Sequence, residues 1–390
     1  MPSTLELLDR LIAFDTTSRH SNIPLVDYVR TLLDAHGVAY ELVSDDTGTK
    51  QALIATVPGR SGSMSGGVAF SAHTDVVPTE AQPWTRPPYE LTSENGRLFG
   101  RGTTDMKGFV AAALKTVLDA ADADLQRPLH LALSYDEEVG CKGIKPLIDH
   151  MKRIGRVPDM AIIGEPTLMQ PVVEHKGKIA LTCDVTGEAG HSSYASAKVN
   201  AVIEAARLIS FIGDLAQKMA EIESPDSAYV APNSSLHVGP VTGGKALNMI
   251  PENCSFQFET RYRPGFDAGA LMDRIKRHAH EQLEPQMHAR NSATGFAWSV
   301  LIDYPPFQAA DTSPALELVS RLSGRNQTGK VDYGTEAGVF SAYGGIDSIV
   351  MGPGSMAQGH QPDEFIDQDQ LQLAESFLGK VVDDLRHRVG

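Results

Sequence analysis

The chain contains 390 residues, of which 42% are hydrophobic and 21% are charged, and its formal net charge is −15. That length leaves room for two domains of ordinary size, and the composition is that of a globular protein. The acidic balance, with no basic tract to offset it, argues against a nucleic-acid partner. No apolar run approaches the ~20 residues of a membrane span, so we expect no membrane association.

The amino terminus and the cysteines indicate the compartment. The first residues, Met1-Pro2-Ser3-Thr4-Leu5-Glu6, have neither a basic start nor an apolar core, so we expect no secretory signal. The three cysteines, Cys141, Cys183 and Cys254, are odd in number and widely spaced, which does not suit a disulfide framework. We therefore predict a protein of the reducing cytoplasm.

The first part of the chain alternates helices with short strands. Helices are predicted from apolar residues at helical spacing, and strands from short apolar runs. In chain order the predicted elements are helix 4–14, helix 24–35, strand 38–43, strand 52–57, a strand from residue 68, helix 106–120, strand 129–135, helix 144–151 and strand 160–163. Residues 76–104, rich in proline and glycine, are predicted to form a long loop. The alternation predicts an α/β domain with a mostly parallel central sheet.

The pattern changes near residue 177. The elements predicted there are strand 178–186, helix 198–219, strands 236–241 and 254–263, helix 268–282 and strand 297–303. Their β-α-β-β-α-β order is that of the split βαβ, or ferredoxin-like, motif. After residue 304 the α/β character returns, with helix 314–322, strand 348–351 and helix 368–386. We therefore predict a three-layer α/β domain formed by residues 1–176 and 304–390, with a smaller α+β domain inserted at 177–303.

The stretch Ser71-Ala72-His73-Thr74-Asp75 lies where a buried strand ends in a loop. His73 and Asp75 stand two apart, so an extended backbone places both on one side of the strand. Such a pair suits a metal site, because the imidazole binds the ion through one nitrogen and the carboxylate fixes the ring through the other. An ordinary hydrogen-bonded histidine is the commoner explanation of such a pair taken alone, so a metal site requires partners elsewhere in the chain.

Acidic or histidine residues follow other predicted strands and loops as well. They are Asp105 at a loop-to-helix junction, Asp136-Glu137-Glu138 after strand 129–135, Glu165 after strand 160–163, and His360 in a loop after strand 348–351. Taken alone, Asp105 is explained as a helix N-cap and the acidic triplet as a solvated turn. Adjacent carboxylates repel one another unless a cation lies among them, however, and open α/β sheets bind ligands at such strand ends.

Together these residues form a mixed set of histidines and carboxylates. Such a set suits Zn²⁺, with Co²⁺ or Mn²⁺ as substitutes. Two histidines and three carboxylates exceed the three protein ligands of a single catalytic zinc, so the set favours a site with two metal ions.

Five motifs in a fixed order make the prediction more specific. They are Ala72-His73-Thr74-Asp75, Gly102-Thr103-Thr104-Asp105-Met106-Lys107-Gly108, Asp136-Glu137-Glu138, Gly164-Glu165-Pro166-Thr167 and the His360 loop. In this combination they resemble the di-zinc family of aminoacylases and carboxypeptidases, over residues 71 to 364. Lys176-Gly177, Gly334-Thr335-Glu336-Ala337 and Gly352-Pro353-Gly354-Ser355 are most similar to the members of that family that deacetylate N-acetyl-L-ornithine.

The resemblance implies a role for each matching residue of the catalytic domain. The implied metal ligands are His73 and Glu165 for one zinc ion, Glu138 and His360 for the other, and Asp105 as the bridge between them. Asp75 would orient His73, and a cis peptide bond would join Asp105 to Met106. Glu137 would be the general base, which takes a proton from a water molecule and returns it to the departing amine.

For residues 177–303 the resemblance implies a domain that forms a homodimer and closes over the substrate. His191 would reach the active site of the partner subunit and stabilise the developing oxyanion. Asn248 and Arg261 would bind the carboxylate of the substrate, and Gly334 and Thr335 would bind the same end. Without the resemblance, His191 is an exposed loop histidine and Arg261 is a strand residue in a surface ion pair.

These implications together predict an amide hydrolase that removes the acetyl group from an N-acetyl-L-amino acid, with N-acetyl-L-ornithine as the first choice. Succinyl-diaminopimelate desuccinylase, general aminoacylase and dipeptidase are alternatives within the same chemistry. A metal-binding scaffold without catalysis is a different alternative, and Glu137, an acid that binds no metal, argues against it. A nucleotide-binding protein is disfavoured because no glycine-rich phosphate loop follows an early strand. The second arginine at Arg263 and the long turn at 60–67 depart from the family pattern and leave side-chain specificity open.

Overall fold

The computed structural model describes residues 2–387, apart from the side chain of Ala220. Within that range, no helix is long and apolar enough to cross a membrane. The chain divides into two compact units. The first contains the described residues of Met1–Glu174, Phe307–Lys330 and Thr335–Gly390, and the second contains His175–Pro306 and Val331–Gly334. The short segment Val331–Gly334 is thus grouped with the second unit. The boundary after it places Gly334 in the second unit and Thr335 in the first.

The first unit begins with ten helices and strands that precede the second unit in sequence. They are α1 (Thr4–Ile12), α2 (Ile23–Ala35), β1 (Ala39–Ser44), β2 (Gln51–Val57), β3 (Val68–His73), β4 (Thr92–Glu94), β5 (Arg97–Phe99), α3 (Gly108–Asp119), β6 (Leu129–Ser134) and α4 (Ile144–Ile154). Two strands follow, β7 (Met160–Pro166) and β8 (Val172–His175).

The second unit contains four long strands, three helices and a short two-stranded ribbon. Its elements are β9 (Gly177–Thr186), β10 (Gly190–His191), α5 (Ala201–Ile222), β11 (Ser235–Gly243), β12 (Met249–Ile250), β13 (Asn253–Tyr262), α6 (Ala268–His278), α7 (Glu284–His288) and β14 (Gly295–Tyr304). The later elements return to the first unit, apart from the last residue of β16. They are β15 (Phe307–Gln308), α8 (Pro314–Ser323), β16 (Gly329–Val331), α9 (Ala337–Val339), β17 (Asp347–Gly352), β18 (Phe365–Asp367) and α10 (Gln368–His387).

The central sheet of the first unit is mixed, with a parallel core. Its strand order is β1-β2-β6-β3-β7-β17-β8-β15, and β16 pairs with β8. The four middle strands, β6, β3, β7 and β17, are parallel neighbours. The flanking strands β2 and β8 are antiparallel to this core. This arrangement confirms the predicted α/β class and the mostly parallel sheet.

Helices cover both faces of that sheet because its middle strands are apolar on both sides. Every residue of β3 and β6 is buried. Alternate strand residues such as Phe70 and Ile162 pack in one cluster with α1, α2, α3, α8 and α10. The helix α4 contacts β1 and β2, and its buried residues lie outside that cluster. Strands that are buried on both faces are typical of parallel sheets between two helical layers.

The second unit has the predicted ferredoxin-like order. Its chain order β9-α5-β11-β13-α6-β14 folds into a four-stranded antiparallel sheet with the order β11-β13-β9-β14. One face of this sheet packs against α5 and α6 through a cluster that includes Leu181, Phe256 and Leu208. The two edges are β11 and β14, whose outward-facing side chains are largely exposed.

The predicted loop at 76–104 is the clearest correction to the sequence-based elements. It contains a hairpin, β4 and β5, and β18 pairs with β5 to complete a three-stranded sheet. The turn of the hairpin is Asn95-Gly96, with φ of 50° and 77°. Asn-Gly is a strong hairpin signal, so this element was readable from the sequence. It was obscured by the surrounding proline-rich segment.

Gly164 allows β7 to approach α3 closely, and this contact places the end of β7. A Cβ atom at Gly164 would lie 2.0 Å from the ring of Phe109, which is completely buried. We therefore expect Gly164→Ala to lower the stability of the protein by ~1–3 kcal/mol through overpacking. Gly379 is a matched control in α10 of the same unit, because a Cβ there meets nothing within 4 Å.

Alanine at Gly379 should raise stability by up to about 1 kcal/mol, since it only improves helix propensity. Urea-unfolding midpoints of the two variants and the parent chain measure both effects. Shifts of the same sign for Gly164→Ala and Gly379→Ala would contradict the close contact between β7 and α3.

Candidate metal centre

The five predicted metal ligands are brought together in the first unit, at the ends of the parallel strands. His73 is the last residue of β3, and it lies level with Ser134, the last residue of β6. Glu165 lies in β7, and Glu138 follows β6 in the next turn. Asp105 lies in the turn before α3, and His360 lies in the loop between β17 and β18. The shared strand direction explains why distant parts of the sequence meet at one edge.

Asp105 lies between the two histidines, and each of its oxygens faces a different ring. Its Oδ1 is 3.1 Å from Nε2 of His73, and its Oδ2 is 3.0 Å from Nε2 of His360. A further carboxylate flanks each histidine. Glu165 Oε1 is 3.6 Å from Nε2 of His73, and Glu138 Oε2 is 3.1 Å from Nε2 of His360. The site therefore has two halves that share one carboxylate.

Two overlapping groups of ligand atoms are compact enough to hold a metal ion. The atoms of His73, Asp105 and Glu138 lie within 4.8 Å of one another, and so do those of His73, Glu137 and Glu165. Imidazole nitrogen and carboxylate oxygen are the donors that zinc and similar cations take. Each group could hold a divalent cation, and the two groups share His73. The second group also contains Glu137, which the sequence had excluded from the ligands.

Burial makes the three glutamates of this site hard to ionise. It raises the pKa of Glu138 to about 7, and it raises the pKa values of Glu137 and Glu165 well above their usual range. Repulsion from Asp105 is the next largest cause at Glu138 and Glu165. A cation among these carboxylates would stabilise their charged forms, because opposite charge counteracts desolvation.

The pKa values of the two histidines are also raised, and for a histidine this favours the charged form. Burial acts to lower the pKa of His360, but hydrogen bonds to Asp105 and Glu138 outweigh it and raise the pKa to about 11. Burial is likewise outweighed at His73, where Asp105 and Glu165 raise the pKa well above its usual value. Although burial acts to raise the pKa of Asp105, both imidazoles hold it below its usual range. Metal ligation requires neutral imidazoles, so binding of an ion would release protons and would strengthen as pH rises.

Asp75 supports the site in two ways, through its backbone and through its side chain. Nδ1 of His73 is 2.9 Å from the carbonyl oxygen of Asp75, whereas the nearest carboxylate oxygen is 3.6 Å away. That carboxylate instead accepts hydrogen bonds from the backbone amides of Glu137 at 3.1 Å and Glu138 at 3.3 Å. Asp75 thus holds the ring with its carbonyl group and the acidic turn with its carboxylate. The predicted carboxylate contact to the ring is the longer of the two.

The three consecutive acids have three different surroundings. Asp136 forms an ion pair with Lys50, Glu137 accepts a hydrogen bond from the Cys141 thiol at 3.4 Å, and Glu138 contacts His360. Asp136 and Cys141 adopt left-handed backbone conformations, with φ of 56° and 53°. Non-glycine residues seldom adopt this conformation, and where they do it often marks a functional turn. The solvated turn considered from the sequence is therefore not what the structure shows.

His191 and Asn248 lie side by side in the second unit. His191 lies in β10, where it pairs with Met249 of β12. Asn248 directly precedes β12, and the Ser192 amide donates to its carbonyl at 3.0 Å. Both residues are exposed. The backbone amide of Ser193 donates to Nδ1 of His191 at 3.2 Å. Because Nδ1 accepts this hydrogen bond, the neutral ring carries its proton on Nε2, which can donate it to another group.

The other three residues predicted to bind substrate have local partners. Arg261 is paired with Glu259 in the same strand, Nε to Oε1 at 3.0 Å, with a side chain 37% exposed. Thr335 is buried, and its Oγ1 accepts from the Ala337 amide at 3.0 Å. Gly334 packs so closely on the ring of Tyr304 that a Cβ would lie 2.1 Å from it. The surface ion pair that the sequence offered for Arg261 is thus present.

Two buried carboxyl groups near the site had no role assigned from the sequence. Glu336 accepts from Ser71 Oγ at 3.3 Å, and burial raises its pKa to about 7. Glu364 is completely enclosed and pairs with Arg101 at 2.7 Å. Glu336 lies in the quoted motif Gly334-Thr335-Glu336-Ala337, and Glu364 lies four residues after His360, directly before β18. Only their bonding partners identify them: the Ser71 hydroxyl for Glu336, and Arg101 with backbone amides for Glu364.

Comparison with known proteins finds relatives over nearly the whole chain. The chain is 34% identical to an acetylornithine deacetylase of Myxococcus xanthus, over 98% of this chain and 97% of that one. It is 31% identical to an acetylornithine deacetylase of Proteus mirabilis, with the same two coverages of 98% and 97%.

Solved structures share the fold at lower sequence identity. A metallo-carboxypeptidase of the M20 family from Sulfolobus solfataricus matches with a TM-score of 0.77 and 17% identity, over 99% of this chain and 100% of that one. A dinuclear metal-binding peptidase of that family from Bacillus subtilis matches with a TM-score of 0.66 and 16% identity, over 99% and 98%. The sequence model described as peptidase family M20/M25/M40 matches residues 69–384. The chain therefore belongs to peptidase family M20/M25/M40.

Proposed function

We propose that this protein is a two-metal amide hydrolase that converts N-acetyl-L-ornithine and water into L-ornithine and acetate, a step of arginine biosynthesis. One observation carries the proposal: Asp105 lies between two imidazoles, each flanked by a further carboxylate, beside the acid Glu137. The names of the relatives in Myxococcus xanthus and Proteus mirabilis support the choice of substrate.

The proposed metal sites follow the two halves of the cluster. In this proposal His73 and Glu165 would hold one ion, Glu138 and His360 would hold the other, and Asp105 would serve both. We propose Zn²⁺, with Co²⁺ or Mn²⁺ as substitutes, because the donors are mixed nitrogen and oxygen. When bound, such a pair of ions supplies an acidified water molecule and a polarised carbonyl group.

Glu137 is the proposed general base and general acid. It takes a proton from the attacking water, whose oxygen forms a bond to the acetyl carbon. It then gives that proton to the ornithine nitrogen as the carbon–nitrogen bond breaks, which forms acetic acid and the amine. The acid passes its proton to the amine, so that acetate and the ammonium form of ornithine leave. The Asp75 carboxylate and the Cys141 thiol hold Glu137 at its backbone amide and at its side chain. No serine or cysteine nucleophile is required.

We further propose a homodimer formed through residues 177–303, in which His191 acts in the site of the partner subunit. The exposed edge strands β11 and β14 offer unpaired backbone groups, and Val241 and Val300 are exposed on them, at 52% and 62%. Exposed edges of this kind can pair with a strand of another chain. The Nε2 proton of His191 suits an oxyanion, because donors aimed at developing negative charge stabilise the transition state.

Asn248, Arg261, Gly334 and Thr335 are the proposed contacts for the substrate carboxylate. Arg261 is suited to this because a guanidinium forms paired hydrogen bonds with a carboxylate. Its bond to Glu259 would have to be exchanged for one to substrate, and partial exposure of the arginine permits that exchange. We also propose a cytoplasmic location, which the three free cysteines support.

A substrate panel tests the proposed reaction. We expect kcat/KM for N-acetyl-L-ornithine to exceed that for N-succinyl-diaminopimelate, other N-acetyl amino acids and dipeptides, measured with Zn²⁺ and with Co²⁺. Removal of metal with a chelator should abolish turnover, and either ion should restore it. A higher kcat/KM for the succinyl substrate or for a dipeptide would replace our choice with one of the sister activities.

Glu137→Gln tests the general base. It should lower kcat by about 10²–10⁴-fold, the usual contribution of general acid–base catalysis, while both metal ions remain bound. Asp136→Asn is the matched control, since that neighbouring carboxylate pairs with Lys50 and has no part in the proposed chemistry. Metal content by elemental analysis must accompany the rates. Activity of Glu137→Gln within tenfold of the parent chain would remove Glu137 from this role.

His191→Ala tests the shared active site. Loss of an oxyanion donor should lower kcat by about 10²–10³-fold with a small effect on KM. Refolding His191→Ala with an equal amount of Glu137→Gln should restore activity at about a quarter of all sites, since half of the dimers are mixed and one of their two sites is complete. The control mixture pairs His191→Ala with the double variant, which contains no complete site. Equal activity in both mixtures would show that His191 does not act across a dimer.

A further inference from the structure

Glu364 is a buried carboxylate that receives four hydrogen bonds from the turn that carries Asp105. Its side chain is 1% exposed. The donors are Arg101 Nη1 at 2.7 Å, the Gly102 amide at 3.0 Å, the Thr104 amide at 3.0 Å and the Asp105 amide at 3.1 Å. Each carboxylate oxygen accepts two of the four. One side chain thus accepts hydrogen bonds from three backbone amides of that turn and fixes the backbone at Asp105.

The same residue belongs to the loop that carries His360. His360 and Asp363 adopt left-handed backbone conformations in this loop, with φ of 60° and 52°. Such conformations are unfavourable for non-glycine residues and persist only where the surroundings impose them. The loop therefore depends on contacts that anchor its end, and Glu364 is the buried anchor.

Two further side chains close the connection between the loop and the turn. Gln82 Oε1 accepts from Arg101 Nη2 at 2.6 Å, and Gln82 Nε2 donates to the His360 carbonyl at 3.3 Å. Arg101 Nη1 also reaches the Gln361 carbonyl at 3.4 Å. We call Glu364, Arg101 and Gln82 the Glu364 clamp. The Glu364 clamp joins the turn that carries Asp105 to the loop that carries His360, and neither of these two residues is part of it.

The two halves of the metal cluster differ in how they are held. His73 and Glu165 belong to β3 and β7, which are hydrogen-bonded neighbours in the middle of the central sheet. His360 belongs to no strand or helix, and its position depends on the loop and the Glu364 clamp. A change in the clamp should therefore move His360 relative to Asp105 more than it moves His73.

We propose that Glu364 is a positioning residue that sets the spacing between Asp105 and His360 and so controls affinity at the metal site formed with Glu138. This inference rests on the two-metal site proposed above. Removing a hydrogen-bond partner behind a metal ligand typically lowers metal affinity by about 10–100-fold. A purely structural ion pair would lower stability without favouring one half of the cluster over the other.

The test compares Glu364→Gln with Asp384→Asn. Asp384 is a matched control because it is a buried carboxylate of the same unit, 5% exposed, paired with Arg321 at 2.8 Å and Arg127 at 3.3 Å, and it touches no proposed ligand. Metal-free protein is titrated with Zn²⁺ against a competing chelator dye, and Co²⁺ absorption spectra are recorded. His360→Ala and His73→Ala identify which binding step belongs to which half.

We expect Glu364→Gln to weaken one binding step by about 10-fold or more and to leave the other within about threefold. The weakened step should be the one that His360→Ala removes. Asp384→Asn should lower the unfolding midpoint and leave both steps unchanged. If Glu364→Gln fails to fold, Gln82→Ala takes its place, since Gln82 is partly exposed; the same single step should weaken by about 10-fold while the other stays within about threefold.

Three results would overturn the inference. Two unchanged binding steps in Glu364→Gln, or two equally weakened steps, would assign Glu364 a purely structural role and leave the proposed function standing. For Gln82→Ala, the absence of a selective loss has the same meaning. Fewer than two binding steps in the parent protein would remove the proposed two-metal site itself, and the role of Glu364 with it.

Discussion

The Asp105 carboxylate makes the contact on which the candidate site depends, because its two oxygens face two different imidazoles. His73 comes from the middle of the central sheet and His360 from a loop near the other end of the chain. Neither histidine contacts the other directly through a hydrogen bond. A single shared carboxylate therefore converts two separate ligand pairs into one cluster, and its orientation decides whether both halves form.

Holding so many ionisable groups at one place is unfavourable unless the surroundings compensate. Burial raises the pKa values of the glutamates and opposes protonation of the histidines, so each group depends on a neighbour of opposite charge. The structure also supplies fixed hydrogen-bond acceptors behind the cluster, at Asp75 and at Glu364. These supporting carboxylates bind backbone amides rather than ligands, and the amides position the residues that carry the chemistry. The proposed pair of cations would complete the balance, because opposite charge offsets the cost of burying these carboxylates.

The parts of the fold and site that follow from local patterns were predictable from sequence. The strand ends at His73 and Glu165 and the acid triplet at Glu138 were recognised because apolar runs stop there and parallel strands end at one edge. The β-α-β-β-α-β order of the second unit was also readable. The hairpin at Asn95-Gly96 was readable in principle, but the surrounding prolines favoured a loop.

Other features depend on contacts between residues far apart in sequence, and no local pattern encodes them. Spacing predicted that Asp75 lies beside His73, yet only the structure shows that its carboxylate turns to the amides of Glu137 and Glu138. Glu364 lies 259 residues from the Asp105 amide that it accepts from, and nothing in its neighbourhood marks it as a support. Sequence therefore identifies groups that carry unusual chemistry, because their residue types are conspicuous at strand ends. The groups that hold them are ordinary residues, and only their bonding partners distinguish them.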